Sequence, residues 1–225
     1  MNLLIIQARM GSTRLPGKSL MKINGIAIID WILERVSLAK NINHIIFAIP
    51  DIPTDDVLYD HLKNKQANIY RGSENDVLLR FYEAAIDCSP SNVIRVCADN
   101  PFIDPSSIDY LVSYFQDREI NYAYNHIPRN NRYPDGIGAE IVDIETLERL
   151  HKNAREKSHR EHIFNYIWEN QDSFQIETFD PPDERLMRPE LRLDIDTRED
   201  YDSYRNVKFM PSADIVEILN YKSQV

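Results

Sequence analysis

Short apolar runs alternate with longer amphipathic stretches along the first half of the chain. The runs at residues 3–8, 44–50, 67–72 and 92–99 are predicted to be strands, and the stretches at 27–40, 56–65, 75–88 and 104–117 to be helices. Strands that alternate with helices of this length indicate βαβ units. The pattern therefore predicts an α/β fold with a mainly parallel sheet and helices on both faces. Asp55 or Thr54 is the expected cap of the second helix, and Asn75 that of the third.

The alternation loosens after Asn121. Residues 121–142 are predicted to form strands and a long polar loop, 158–170 a helix, 174–180 and 191–196 strands, and 197–207 and 212–221 helices. No internal repeat or flexible linker is evident along the chain. One domain over residues 1–225 is therefore expected, with residues 121–190 inserted over or beside the sheet on the substrate side.

Composition narrows the possible partners. The formal net charge of −10 disfavours a nucleic-acid partner, because such a surface repels phosphate backbones. Cys88 and Cys97 are the two cysteines, and their spacing gives neither a disulfide framework nor a zinc motif. No apolar run approaches the length of a membrane span. A cytoplasmic protein without a membrane or nucleic-acid partner is expected.

A basic loop, QARMGSTRLPGKS, follows the first predicted strand and opposes the overall acidity. It carries Arg9, Arg14 and Lys18, and guanidinium and ammonium groups bind phosphate oxygens. Gly11 would let the backbone approach a ligand closely. The loop is not a Walker A motif, because five residues rather than four separate Gly11 from Gly17, and GxGxxG is absent. Either the loop binds a triphosphate, or it is an exposed turn whose cations pair with surplus acids.

Chemistry on a triphosphate needs a divalent cation, and carboxylates are the ligands such cations prefer. Asp99 stands just beyond the strand that ends at Cys97. Asp194 and Asp196 end another predicted strand, whose alternation sends both to the same side, so that one of them could meet Asp99. The alternative is purely structural: Asp99 would be a turn residue, and Asp196 the cap of the next helix.

Histidines and tyrosines offer weaker signals. His159 and His162 are three positions apart and could share a helix face, but no third metal ligand is evident, so packing or hydrogen bonding is the main alternative. Tyr122, Tyr124 and Tyr133 are expected to pack in the core or a loop rather than to stack on bases.

Six segments, taken together, resemble one family. IIQARMGSTRLPGKSL, RGSENDVLLRF, RVCADNPFIDP, YPDGIGAEIV, SHREHIFNYI and LRLDIDTREDY occur in the order found in the cytidylyltransferases that activate sialic acids and 3-deoxy-manno-octulosonate. The resemblance is strongest to a branch tied to spore-coat polysaccharides. It implies a GT-A-like, Rossmann-related fold, and a homodimer. It also implies Mg²⁺-dependent transfer of a nucleoside monophosphate, usually from CTP, to a sugar acid, sugar phosphate or other phosphorylated acceptor, with release of pyrophosphate.

The resemblance also assigns roles. It implies nucleotide binding by Gln7, Ala8, Arg9, Gly11, Ser12, Arg14, Lys18, Arg71, Ser73, Asp76, Val77 and Ala98; acceptor binding by Tyr133, Asp135, Gly136, Glu140, Arg160 and His162; Mg²⁺ binding by Asp99 and Asp196; and catalysis by Arg9, Lys18 and Asp99. The choice between Asp194 and Asp196, and between CTP and another nucleotide, stays open. A glycosyltransferase-type protein that binds a preformed nucleotide sugar, or a non-catalytic relative, is the alternative.

Overall fold

The computed structural model describes residues 1–224 and is built around a seven-stranded sheet. The strands are β1 (Asn2–Gln7), β2 (Lys22–Ile23), β3 (Ile26–Ala27), β4 (His44–Pro50), β5 (Ile69–Gly72), β6 (Asn92–Cys97), β7 (Tyr122–Tyr124), β8 (Glu140–Asp143) and β9 (Ile176–Glu177). The sheet has the order β5-β4-β1-β6-β8-β7-β9, while β2 and β3 form a separate hairpin. Only β8 runs antiparallel to both of its neighbours. The expected α/β fold with a mainly parallel sheet is confirmed.

Helices cover both faces of this sheet. They are α1 (Ile28–Val36), α2 (Asp56–Asn64), α3 (Val77–Ile86), α4 (Pro105–Gln116), α5 (Ile144–Asn153), α6 (Lys157–Glu161), α7 (Asn165–Glu169), α8 (Arg198–Tyr204) and α9 (Ile215–Lys222). Alternate residues of β1 face opposite cores, as strand geometry requires. Leu4 and Ile6 pack with α1, α4 and α9. Leu3 and Ile5 pack with α3, α5 and α7.

The second half departs from the predicted elements. Helix α5 was not predicted; Asp143 caps it by accepting a hydrogen bond from the Thr146 N–H. The helix expected over residues 158–170 is two short helices, because the backbone at His162 is extended. The strands expected at 174–180 and 191–196 are reduced to β9 and to one isolated bridge between Asp135 and Arg192.

Two of the predicted helix caps are corrected. Asp76, rather than Asn75, caps α3 by accepting a hydrogen bond from the Leu79 N–H at 2.8 Å. Asp55 stands at the cap position of α2, but its carboxylate makes no capping bond there. It accepts the Met10 N–H at 2.7 Å instead, so this buried side chain fixes the basic loop.

Two further features of the sequence can be compared with the structure. Cys88 and Cys97 are both unpaired thiols, as their spacing predicted. Along residues 1–224, no helix combines the length and the apolar content that a membrane crossing requires.

Candidate active site

A cleft of about 260 Å³ opens where β1 and β6 end, the edge at which open α/β sheets bind ligands. It is lined by Gln7, Ala8, Arg9, Ser12, Thr13, Arg14, Lys18, Ser19, Arg95, Cys97, Ala98, Asp99, His162 and Asp196. Cationic, hydroxyl and carboxylate groups therefore share one depression. The basic loop and the two predicted acidic segments meet here.

The basic loop is held by its own small and apolar residues as well as by Asp55. Leu15 is buried, and Ser19 Oγ donates a hydrogen bond to the Arg9 carbonyl. Gly17 takes a φ of 73°, a left-handed conformation that glycine adopts without strain, and its N–H donates to the Met10 carbonyl at 3.0 Å. The backbone is thus fixed, while the Arg9 side chain is exposed towards solvent.

Lys18 joins the loop to the acids. Its ammonium lies 2.9 Å from Asp196 Oδ1 and 3.6 Å from Asp99 Oδ2, and it donates to the Ile195 carbonyl at 3.0 Å. The Ile195 N–H in turn donates to the Asp99 carbonyl at 2.8 Å. The two carboxylates, about one hundred residues apart in sequence, therefore face one common point.

The segment before α8 decides which aspartate points there. Thr197 caps α8 in a capping box, so the carboxylate of Asp196 is not the cap. Arg14 and Arg192 reach Asp196 Oδ2 at 2.7 and 3.3 Å. Asp194 pairs with Arg192 at 2.6 Å instead, and burial raises the pKa of Asp194. Asp196, rather than Asp194, is the side chain that shares Lys18 with Asp99.

Most residues predicted for the nucleotide do reach the cleft. The cleft is lined by Gln7, Ala8, Arg9, Ser12, Arg14, Lys18 and Ala98 of that set, by Asp99 and Asp196, which were predicted to bind Mg²⁺, and by His162, which was predicted to bind the acceptor. Gly11 does not line the cleft, and a Cβ added to it would meet nothing within 4 Å. The packing therefore gives no reason why this position must be glycine.

The segment from Arg71 to Val77 has other contacts and does not line the cleft. Arg71 pairs with Asp51 and Asp56 at 3.0 and 2.7 Å. Ser73 Oγ accepts the Asp76 N–H, and Val77 is buried in the core.

The predicted acceptor residues are also mostly committed elsewhere. Arg160 makes a bidentate ion pair with Asp76, with N–O distances of 2.7–2.9 Å, which ties α6 to the start of α3. Tyr133 is fully buried and faces a different cavity. Glu140 is buried and pairs with Arg95. Among these six predicted residues, His162 alone lines the cleft.

The two histidines do not form a metal site. His159 Nε2 lies 2.6 Å from Glu169 Oε2, while His162 sits in the break between α6 and α7. Across residues 1–224 there is no group of three or more His, Cys, Asp and Glu side chains arranged to hold a metal ion. The hydrogen-bonding role is therefore the one observed for His159.

Sequence reasoning missed Arg95 and Cys97 as cleft residues. Both lie on β6, where their side chains share a face of the sheet. The sequence signal that could have identified them is that Arg95 and Cys97 occupy alternate positions of β6, whose other positions are mostly apolar.

A sequence profile of the cytidylyltransferase family matches residues 3–220. The chain belongs to the cytidylyltransferase family. It is 36% identical to the spore coat polysaccharide biosynthesis protein SpsF of Bacillus subtilis over 208 residues, which cover 90% of this chain and 84% of SpsF. The structure of a cytidylyltransferase from Leptospira borgpetersenii superposes with a TM-score of 0.88 at 30% identity, covering 99% of this chain and 94% of that one.

A third relative matches over a shorter stretch. The 8-amino-3,8-dideoxy-manno-octulosonate cytidylyltransferase of Shewanella baltica is 36% identical over 126 residues, which cover 50% of this chain and 46% of that enzyme. The resemblance seen in the six sequence segments is thereby confirmed at the level of the family.

The raised pKa of Asp135, in the loop beside the cytidylyltransferase cleft, should make the stability of the protein depend on pH. Burial, reinforced by Asp194, raises the pKa of Asp135 to about 6. The folded protein therefore holds this proton more tightly than the unfolded chain, and ionisation costs stability as pH rises through about 6. Asparagine mimics the protonated acid, so Asp135→Asn should be more stable than the parent at pH 8, by about 1 kcal/mol after solvent screening.

Urea unfolding at pH 8, 6 and 4 checks this expectation. The difference should shrink as pH falls through about 6 and vanish near pH 4. Asp183→Asn is the matched control, because a hydrogen bond from Arg185 lowers the pKa of Asp183 and the variant should gain no stability at pH 8. An equal gain for both variants would contradict the assignment.

Gly136 holds the loop of Asp135 against the acidic segment. Its φ is 91°, and an added Cβ would lie 2.7 Å from the backbone nitrogen of Asp194. Gly136→Ala should therefore lower the free energy of unfolding by about 3 kcal/mol, the sum of left-handed strain and a backbone clash. Gly25→Ala is the control, since Gly25 has a φ of 78° but nothing within 4 Å, and it should cost only about 1 kcal/mol. Equal losses in urea unfolding would mean that the clash is relieved.

Proposed function

We propose that this protein is a CTP-dependent nucleotidyltransferase. It would transfer a cytidine monophosphate to an acidic or phosphorylated acceptor, such as a sugar acid, and release pyrophosphate. The observation that carries this proposal is the position of Lys18 between Asp99 and Asp196, in the same cleft as Arg9 and Arg14. Membership of the cytidylyltransferase family supports the choice of CTP.

In this proposal the basic loop binds the triphosphate. Arg9 and Arg14 are long, exposed cations on a fixed backbone, and guanidinium groups bind phosphate oxygens bidentately. Arg14 would leave Asp196 for the phosphates, and Lys18 would turn from the carboxylates to the phosphate chain. Gln7 and Ala8, at the end of β1, would contact the nucleoside.

Asp99 and Asp196 fit a Mg²⁺ site, because both offer carboxylate oxygens to one point that a cation, the Lys18 ammonium, already occupies. Bound there, Mg²⁺ would act as a Lewis acid and neutralise charge on the triphosphate.

The rest of the rate acceleration would come from positioning the acceptor and the nucleotide. The cleft would hold the acceptor oxygen in line with the α-phosphorus, and the basic loop would stabilise the departing pyrophosphate. A phosphate acceptor is already ionised and needs no general base, whereas a sugar acid would attack through a hydroxyl, and a carboxylate such as Asp99 would take its proton. SpsF, by its name, acts in polysaccharide biosynthesis, and we propose such a setting, in a cytoplasmic homodimer, for this relative.

Pyrophosphate release tests the proposal directly. The protein would be incubated with Mg²⁺ and CTP, GTP, ATP or UTP against a panel of sugar acids, among them 3-deoxy-manno-octulosonate and N-acetylneuraminate, and of sugar phosphates. Release that needs both CTP and an acidic acceptor is expected. Turnover of a preformed nucleotide sugar without pyrophosphate release would instead favour a glycosyltransferase.

A further inference from the structure

The cleft extends beyond the basic loop onto one face of the sheet. Its floor there is formed by Gln7 of β1 and by Arg95 and Cys97 of β6, which register places side by side. The proposed nucleotide and metal contacts use the loop and the ends of the strands. They leave the Arg95 side chain without a role.

The Arg95 guanidinium is held at two of its three nitrogens. Its Nη1 donates to Glu140 Oε2 at 2.5 Å, and its Nε donates to Gln7 Oε1 at 3.2 Å. Within residues 1–224, no acceptor pairs with Nη2. The side chain is 17% exposed and lines the cleft. Arg95 is therefore a fixed cleft residue whose Nη2 keeps two N–H donors that no described residue uses.

Glu140 holds Arg95 rather than reaching the cleft. The Glu140 side chain is only 5% exposed, and its second oxygen accepts the Tyr122 hydroxyl at 2.6 Å. Burial alone would raise the pKa of Glu140, but the neighbouring His126, Arg95 and Tyr122 groups lower it. Glu140 is therefore a charged, hydrogen-bonded support for Arg95.

The neighbours of Arg95 along the floor carry no carboxylate. Cys97 is a free cysteine that follows Arg95 on the same face of β6. Gln7 offers an amide, and His162 lines the cleft as well. An anionic ligand group over this floor would meet the Arg95 guanidinium; the carboxylates that act on Arg95 are the buried Glu140, with which it is paired, and Asp99.

We propose that Arg95 binds the anionic group of the acceptor, a carboxylate or a phosphate, through Nη2, and that Glu140 positions Arg95 for this contact. The proposal rests on the proposed function, because it assigns the acceptor half of the same cleft. A guanidinium nitrogen in a fixed orientation donates strong, charge-assisted hydrogen bonds to carboxylate or phosphate oxygens. A buried ion pair adds little to stability by itself, which is why a role in binding is the better explanation for Arg95.

The test is a comparison of kinetic constants in the pyrophosphate assay. Arg95→Lys keeps the charge next to Glu140 but loses the Nη2 donors. We expect the KM for the acidic acceptor to rise about 30-fold, which corresponds to about 2 kcal/mol. The KM for CTP should rise no more than about threefold, because the nucleotide is affected only through the lost Nε contact with Gln7. The double variant Arg95→Gln/Glu140→Gln removes both charges, leaves no unpaired buried ion, and should lose acceptor affinity in the same way. Arg118→Lys, on an exposed arginine outside the cleft, is the matched control.

The outcomes separate a failure of the Arg95 contact from a failure of the proposed function. If the acceptor KM is unchanged in Arg95→Lys, or if the CTP KM rises instead, the anion contact is wrong while the proposed function stands. If the parent turns over only uncharged acceptors, the contact is wrong as well.

If no acceptor supports pyrophosphate release, the proposed function fails, and the contact is judged by calorimetry. The panel acids would be titrated into protein loaded with CTP and Ca²⁺. Binding that is lost in Arg95→Lys would support the contact, and the absence of binding to the parent would overturn it.

Discussion

Replacing Asp99 with asparagine is expected to lower the rate of pyrophosphate release at least about a thousandfold while the fold is retained. The neutral amide keeps the shape of the side chain but removes one of the two charges that face Lys18 and the proposed metal site. Loss of a charged ligand at a phosphoryl-transfer centre typically costs several orders of magnitude.

The fold should survive this change because Asp99 contributes to packing through its backbone. The Asp99 carbonyl accepts the Ile195 N–H, whereas the carboxylate is 31% exposed and lies 3.6 Å from its partner. Such a pair is worth less than about 1 kcal/mol. Thermal unfolding and Mn²⁺ binding in the presence of CTP should accompany the assay, with Asp202→Asn on the exposed face of α8 as the control. Turnover close to that of the parent would remove the role assigned to Asp99.

The meeting of Lys18 with Asp99 could be predicted from sequence because it follows from topology. Parallel strands of βαβ units end at one edge, which places the loops after β1 and β6 at that edge, and the pairing of β1 with β6 makes the two loops neighbours. Apolar runs long enough to be buried strands identified both strands. The two side chains then needed only to lie within a few residues of the strand ends.

The carboxylate that meets Asp99 from the C-terminal part of the chain could be narrowed by strand alternation only to Asp194 or Asp196. Alternation correctly grouped Asp194 with Asp196, but it could not separate them. The separation comes from Lys18, which pairs with Asp196 and not with Asp194, and from Thr197, which caps α8 in place of Asp196.

The acceptor side could not be predicted because its contacts depend on pairings that no local pattern records. Arg160 meets Asp76 because α6 packs against α3, far away in sequence. Arg95 meets Glu140 only through the antiparallel register of β6 and β8, in a region where sequence periodicity was weak. Both pairs fix long-range geometry, and they place three predicted ligand contacts, Asp76, Arg160 and Glu140, in ion pairs outside the lining of the cleft.

Lys18→Met is expected to weaken nucleotide binding and to strengthen the binding of free divalent metal. The Lys18 side chain is 12% exposed, and methionine preserves its apolar stem while it removes the ammonium. Without that charge the phosphate chain loses a cation, so kcat/KM for CTP should fall about 100-fold. Asp99 and Asp196 would then face each other with no lysine between them.

The opposite signs of the two effects make this variant informative. Two carboxylates freed from an ammonium attract a divalent cation, so Mn²⁺ titrated into nucleotide-free protein, followed by electron paramagnetic resonance, should bind more tightly to Lys18→Met than to the parent. Lys22→Met, on an exposed lysine of β2, should change neither constant. Weaker binding of both CTP and Mn²⁺ in Lys18→Met would mean that Lys18 supports the site structurally. Tighter Mn²⁺ with weaker CTP would mean that the lysine occupies the metal position until the nucleotide draws it away.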